Sequence, residues 1–283
     1  MSTLNRSGPT TSPRALPAFA LSLLLVTILA DRPIFTDLAA FDSFVDEHDG
    51  FAYQTFHSSP IRAPVFHVNV WDRARTDPSP FIFIGSFYGA GGAGPMILDA
   101  RDLSLVYADQ KYSNAYHSDV QSLRDQTYYT FWEGARSRGH ANGRCVFVDE
   151  TYERKYAVEA QNRPGVLADM HEMRTTADGT VLFSTYFNIP YDTDPVGGKV
   201  DSLLMDSGFQ EVDPVINEVI FDWAASDHFD ITDSFAPYSS GYGVGPDSGY
   251  DFFHINSVEK VSHLLIVRQP NFRAPSDLHA VDP

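Results

Sequence analysis

The sequence predicts an all-β fold, and within that class a β-propeller. Three observations predict it. Helical periodicity is confined to one short stretch. Short β-branched and aromatic runs recur along the rest of the chain, punctuated by Gly, Pro, Asn and Asp. A hairpin-sized unit also repeats three times. The composition agrees: the 283 residues include 21 Phe, 14 Tyr and 3 Trp, which suit strands, and 19 Gly and 18 Pro to turn between them. With 20 Lys+Arg against 37 Asp+Glu, the net charge is −17. Such a chain lacks the basic stripe that displaces counterions from nucleic acid. Cys145 is the only cysteine, which excludes an internal disulfide and a Cys-based zinc site.

The elements follow in chain order. Met1 to Arg14 is polar, with Arg6 and Arg14 and no acid, and Ala15 to Ala30 is an uncharged apolar run. At ~1.5 Å per residue that run reaches about 24 Å, short of the ~30 Å of a bilayer core. Residues 1–30 therefore read as a secretory signal peptide, with an uncleaved signal anchor as the alternative. The first implies an extracellular protein; a membrane enters only with the second. The sole Asn-x-Ser/Thr sequon, Asn5-Arg6-Ser7, falls inside this segment. Residues 31–283 are then one domain.

Thr36 to Asp46 predicts one helix, with Thr36 as N-cap. Strands are predicted at Val65–Val70, Phe81–Phe87, Thr127–Trp132, Arg144–Val148, Thr180–Phe187, Glu218–Trp223 and His263–Val267. The repeating unit is an apolar strand ending near Asp, a turn, and a second apolar strand. It occurs at Met96–Ala108, Val146–Val158 and Phe209–Ala224. Each copy precedes a strand led by histidine: His117–Val120, His171–Arg174 and His254–Ser257. Gly/Pro/Asp-rich stretches near 188–202 and 234–250 read as insertions. Four strands recurring on a scale of ~40–50 residues match a propeller blade; a sandwich is the alternative.

If the His-led strands hold equivalent places in three blades, three imidazoles face one axial channel. Strand alternation then puts His171 with Asp169 and Met173, His117 with Asp119 and His254 with Asn256, and turns Glu172 and Arg174 away. Asp169 either holds the His171 tautomer or is a turn residue. His228 either structures its loop or touches substrate. Other signals are weaker. Gly89–Gly94 contains G-x-G-x-x-G but leads into Pro95 and a strand, not the helix a dinucleotide site needs. His171-Glu172 lacks the second histidine of H-E-x-x-H, since position 175 is Thr. The acid pairs Asp192/Asp194 and Asp227/Asp230 read as solvated loop acids rather than a calcium site, and no cofactor or metal is expected. Cys145 reads as packed and inert.

Several blocks resemble the arylsulfotransferase (arylsulfate sulfotransferase) family in its fungal-type secreted branch. They are Asp169–Tyr186 (DMHEMRTTADGTVLFSTY), Asp206–His228 and Asp251–Val258 (DFFHINSV), with support from Tyr53–Phe66, Gly94–Tyr107 and Tyr128–Gly134. The resemblance implies a six-bladed β-propeller and transfer of a sulfuryl group from a phenolic sulfate ester to a phenol, without the nucleotide donor PAPS. It puts His171 on a sulfate-site histidine, His254 and Asn256 on an H-x-N pair, and Arg268 on an oxygen-clamping arginine, with His117 and Asp169 as further substrate-site residues. It places the nucleophilic histidine in a later blade, whereas His279 lies in a polar tail that matches no such block. The expectation is therefore an incomplete propeller of about four to five blades. That leaves two functions open: a sulfotransferase working through channel histidines, or an inactive propeller that binds a small aromatic or a protein partner. A quinone-dependent propeller dehydrogenase lacks its tryptophan-rich repeats here. The sequence does not fix the oligomeric state.

Overall fold

Strands account for nearly all of the regular structure, as the all-β expectation requires. The computed structural model describes residues 34–48, 50, 52–86, 94–137, 139–243, 248–262, 264–268 and 278–281. The candidate signal segment 1–30 and most of the glycine-rich loop lie outside these. Among the described residues, no helix is long and apolar enough to cross a membrane.

The chain opens with β1 (Ile34–Phe35) and α1 (Leu38–Glu47). The N-cap of α1 is Asp37 rather than Thr36: its Oδ1 accepts the Ala40 N–H at 2.8 Å, the third helical amide, which Thr36 sits one residue too early to serve. Phe41 and Phe44 of α1 lie on Phe35, with ring centroids 5.9 and 5.3 Å away. A hairpin of β2 (Tyr53–Phe56) and β3 (Ser59–Pro64) follows, then β4 (Phe66–His67). The predicted strand Val65–Val70 shrinks to β4, because its parallel partner β1 offers only two residues.

The rest is a succession of antiparallel meanders. The first is β5 (Phe81–Ser86), β6 (Gly94–Asp99) and β7 (Leu105–Ala108). The second is β8 (Ala115–Leu123), β9 (Gln126–Ser137), β10 (His140–Val148) and β11 (Arg154–Val158). The third is β12 (Ala168–Thr175), β13 (Val181–Tyr191), β14 (Ser202–Asp213) and β15 (Glu218–Ala224). After β16 (Tyr250–Asp251), which pairs with β14, come β17 (Ser257–Val261), β18 (Leu264–Arg268) and β19 (Leu278–Val281). The repeating unit of the sequence forms the last two strands of three meanders: β6–β7, β10–β11 and β14–β15. The predicted insertions fall in the β13–β14 and β15–β16 connections, where Asp230 caps a short 3-10 turn.

Each hydrophobic cluster draws on two successive meanders. Phe131 and Val146 pack with Ile97, Trp132 and Phe147 with Met173 and Phe183, and Phe209 and Trp223 with Val258 and Leu265. Both faces of a middle strand are therefore covered. That is why Tyr128–Trp132 reads as a nearly continuous apolar run instead of an alternation. The second and third meanders share one backbone register pair, Gly143 with Ala168. There the buried Trp132 donates its Nε1–H to the Ala168 carbonyl at 2.9 Å. A Cβ on Gly143 would meet the Trp132 ring at 2.6 Å and the Glu133 carbonyl oxygen at 2.0 Å, so only glycine fits.

Candidate active site

Backbone irregularities aim the histidines. On β8 the register runs from Tyr116 opposite Trp132 to Asp119 opposite Thr130, so His117 and Ser118 share one partner. On β12 it jumps from Ala168 opposite Thr185 to Met173 opposite Phe183, so Asp169 through Glu172 face Ser184 alone. Such bulges re-aim side chains. His254 lies in no strand, contrary to expectation: β17 begins at Ser257. His117 and His254 hold φ of +50° and +43°, a left-handed backbone that breaks a strand and costs a non-glycine residue free energy.

His171 and His254 meet edge to face, with ring centroids 5.2 Å apart and an interplanar angle of 82°. Each has its own carboxylate. His171 Nδ1 donates to Asp169 Oδ2 at 2.6 Å, and His254 Nδ1 to Asp251 Oδ2 at 2.5 Å. A carboxylate on Nδ1 fixes the tautomer and leaves Nε2 to face a substrate. Neither Nε2 has a protein hydrogen bond among the described residues. The hydrogen bond His254 donates to Asp251 raises the imidazolium above its ordinary value, against the opposing effect of burial. Asp169 is fully buried and also accepts Ala141 N–H, His171 N–H and the Ser184 hydroxyl. It is a tautomer-holding residue and not simply a turn residue.

Tyr186 packs against both imidazoles, at 5.7 Å from His171 and 5.6 Å from His254, and donates its hydroxyl to the Ile255 carbonyl at 2.7 Å. On Tyr186 stacks a third imidazole, His140, at 5.5 Å. His140 and Tyr186 in turn line a cavity of about 480 Å³ that also includes Asn142, Asn162, Arg163 and Asn188.

His117 makes no ring contact with His171 or His254. Its Nε2 is 3.3 Å from Glu172 Oε1, so the bulge turns Glu172 toward His117 and overturns the alternation that sent it away. Burial pulls the His117 imidazolium down, helped by Arg174, and pushes the Glu172 carboxyl up. Arg174, whose Nε is 3.8 Å from the same Glu172 Oε1, opposes the rise of the carboxyl. Ser184 links Glu172 to the first group: its hydroxyl oxygen accepts Glu172 N–H at 3.2 Å and its proton goes to Asp169 at 3.1 Å. Asp119 instead accepts its neighbour's amide, Val120 N–H, and does not pair with His117.

Of the other expected site residues, Asn256 is exposed and no hydrogen bond ties it to the cluster. Arg268 closes β18 opposite Ser257; its side chain lies outside the described set. His228 stacks on Trp223 at 5.1 Å, which gives it a loop-structuring role. Cys145 is buried, and burial pushes its thiol up. Among the described residues no cluster of three or more His, Cys, Asp or Glu has the arrangement of a metal site. Sequence reasoning missed His140, Arg163, Tyr186 and Asp251. Only Tyr186 and Asp251 lay within blocks already singled out.

The fold is an all-β succession of meanders, and near one of its cavities it gathers imidazoles whose Nδ1 atoms are held by carboxylates. A sequence model of the family Arylsulfotransferase (ASST) matches residues 119–271. That is more than half of the chain, and the chain belongs to the arylsulfotransferase family. The matched span includes His171, His254, Asp251 and Arg163; His117 lies just outside it. No curated protein matches the chain.

Proposed function

We propose that this protein transfers a sulfuryl group from an aryl sulfate to a phenol through His171 and His254, without PAPS. One observation carries the reading: two imidazoles in edge-to-face contact, each with Nδ1 committed to its own carboxylate and Nε2 unengaged. His171 Nε2 bonds to sulfur as the bond between sulfur and the aryl oxygen breaks. His254, held protonated by Asp251, gives its proton to the departing aryloxide. The acceptor phenol then returns a proton to His254 as its oxygen takes the sulfuryl group and the N–S bond breaks. Imidazolium and guanidinium donors stabilise the sulfuryl oxygens as charge develops. The family resemblance locates its nucleophile in a later block; the Asp169-held tautomer of His171 supports that role here.

The meanders are then propeller blades whose first strands face an axial channel. The single backbone register pair between the second and third meanders and the hydrophobic clusters between successive meanders favour this over a sandwich. The apolar segment before residue 31 directs the chain into the secretory pathway, which N-terminal sequencing of secreted protein tests.

The activity test uses 4-nitrophenyl sulfate as donor and phenol as acceptor, following nitrophenolate release and phenyl sulfate formation. His171→Ala and His254→Ala are each expected to lower transfer by ~10²–10⁴-fold. No transfer from folded protein, or undiminished transfer by both variants, overturns the proposal.

A further inference from the structure

The cavity lined by His140 and Tyr186 carries an arginine whose terminal nitrogens are unengaged. Arg163, in the connection between β11 and β12, donates Nε–H to both oxygens of Asp222, at 2.9 and 3.2 Å. Its guanidinium lies 4.6 Å over the Phe187 ring. Neither Nη atom has a protein partner among the described residues, and the side chain is 28% exposed, on the cavity wall. The segment carrying it is held rigidly: Gln161 N–H donates to Gln210 Oε1 at 2.9 Å, and Gln210 Nε2–H donates back to the Gln161 carbonyl at 2.7 Å. Arg163 is thus fixed before any ligand arrives, with the end of its fork open.

We infer that this cavity is an acceptor subsite for phenols bearing a carboxylate, and that Arg163 takes the carboxylate. The inference rests on the sulfuryl-transfer reading of the neighbouring imidazoles. Two free Nη groups in one plane match a carboxylate bidentately. The rings of His140 and Tyr186 give an aromatic ring a wall, and Tyr186 borders the imidazole pair that would meet the phenolic oxygen. Asn142 and Asn162 add amide groups that make no protein hydrogen bonds among the described residues. The volume of about 480 Å³ suits a small aromatic. On a chain of net charge −17, an anionic acceptor needs such a local cation.

The test compares 4-hydroxybenzoate with phenol as acceptors, for the wild type and Arg163→Met. The wild type should favour 4-hydroxybenzoate over phenol in kcat/KM by about tenfold or more, and the variant should lose that preference, the two acceptors being compared within each protein. Equal use of both acceptors by the wild type, or a preference surviving in the variant, overturns the inference. A raised KM for 4-nitrophenyl sulfate with phenol as acceptor would assign Arg163 to the donor and also overturn it. If no acceptor is sulfated, the transfer reading itself fails. Equilibrium titration with 4-hydroxybenzoate alone then still decides the subsite: it should bind the wild type about tenfold tighter than the variant, and equal binding refutes it. Should Arg163→Met fail to fold, Arg163→Gln keeps a donor for Asp222 and serves in the same comparisons.

Discussion

The two carboxylates behind the imidazoles look alike and should respond unequally to removal of their charge. Asp169 is fully buried and accepts four hydrogen bonds: from Ala141 N on Oδ1 at 2.6 Å, and on Oδ2 from His171 N at 2.8 Å, His171 Nδ1 at 2.6 Å and Ser184 Oγ at 3.1 Å. In Asp169→Asn the amide oxygen can serve only one side. Keeping it toward His171 and Ser184 sets an NH₂ against the Ala141 N–H, and a buried donor left unmade costs about 1–3 kcal/mol. The three retained bonds lose charge assistance, roughly 0.5–1 kcal/mol each, partly offset because a neutral amide is cheaper to bury than a carboxylate. The expected net loss is about 2–4 kcal/mol. Asp251 differs: Oδ2 takes only His254 Nδ1, and Oδ1 is buried without a partner. In Asp251→Asn the new amide can keep its oxygen on His254 and turn its NH₂ to the side where no donor opposes it, for about 1 kcal/mol or less. Urea unfolding followed by tryptophan fluorescence reads both losses, provided the m-value is unchanged. If the two variants fall within about 0.5 kcal/mol of each other, or Asp251→Asn is the worse, the hydrogen-bond accounting is wrong.

Other consequences can be checked by the same methods. The raised His254 pKa contributes stability that is fully present below about pH 6.5, the unfolded value, and is lost as pH rises through the folded value; Asp251→Asn should flatten that stretch of the stability–pH curve. Burial raises the Asp206 carboxyl from 3.8 to about 6, so wild-type stability should fall by up to about 3 kcal/mol as pH rises through that window. Asp206→Asn should therefore gain on the wild type between pH ~4 and ~7, and a constant difference between the two would refute the shift. Gly143→Ala should lose about 3 kcal/mol or fail to yield soluble protein, because Trp132 and the Glu133 carbonyl leave no room for a Cβ; a wild-type midpoint would show that the junction yields. Native Cys145 should not react with a thiol reagent and should react fully after unfolding, since it is buried in the cluster between the second and third meanders.

The sheet content and its repeating hairpin were legible because burial on both faces imposes long aromatic runs, as at Tyr128–Trp132, and because the same turn chemistry returns at Asp99, Asp149 and Asp213. The orientation of the site was not. Alternation along β8 and β12 assumes one residue opposite one residue. Two residues opposite Phe131, and four opposite Ser184, cancel that rule where the histidines sit. Nothing in the composition marks those bulges; the residues forming them include the candidate histidines, and neither bulge contains glycine. Asp251 was overlooked for a related reason. It meets His254 three residues later only because the chain leaves β16 and turns through irregular backbone, where a strand would have pointed the two side chains to opposite faces. His140 carries no local signal at all: it opens β10 beside a turn, and only tertiary packing brings it onto Tyr186.

A net charge of −17 would oppose the binding of the anionic ester in the proposed transfer, and the carboxylates nearest the imidazoles bear on that conflict. Interactions of exposed acids over more than a Debye length of ~8 Å are screened. The Asp169 and Asp251 carboxylates act at 2.6 and 2.5 Å, from within the fold, and they act on imidazoles rather than on the substrate. Asp251 keeps His254 protonated to higher pH, which in the proposed transfer would give an incoming sulfate an imidazolium to meet. The pairing of Glu172 with His117 shows the opposite setting of the same parts. There burial pushes the acid up and the imidazole down, and both favour neutrality. The first pair is thus shifted toward a charged imidazole and the second toward neutral partners. Desolvation against hydrogen bonding sets the difference, not the choice of residues.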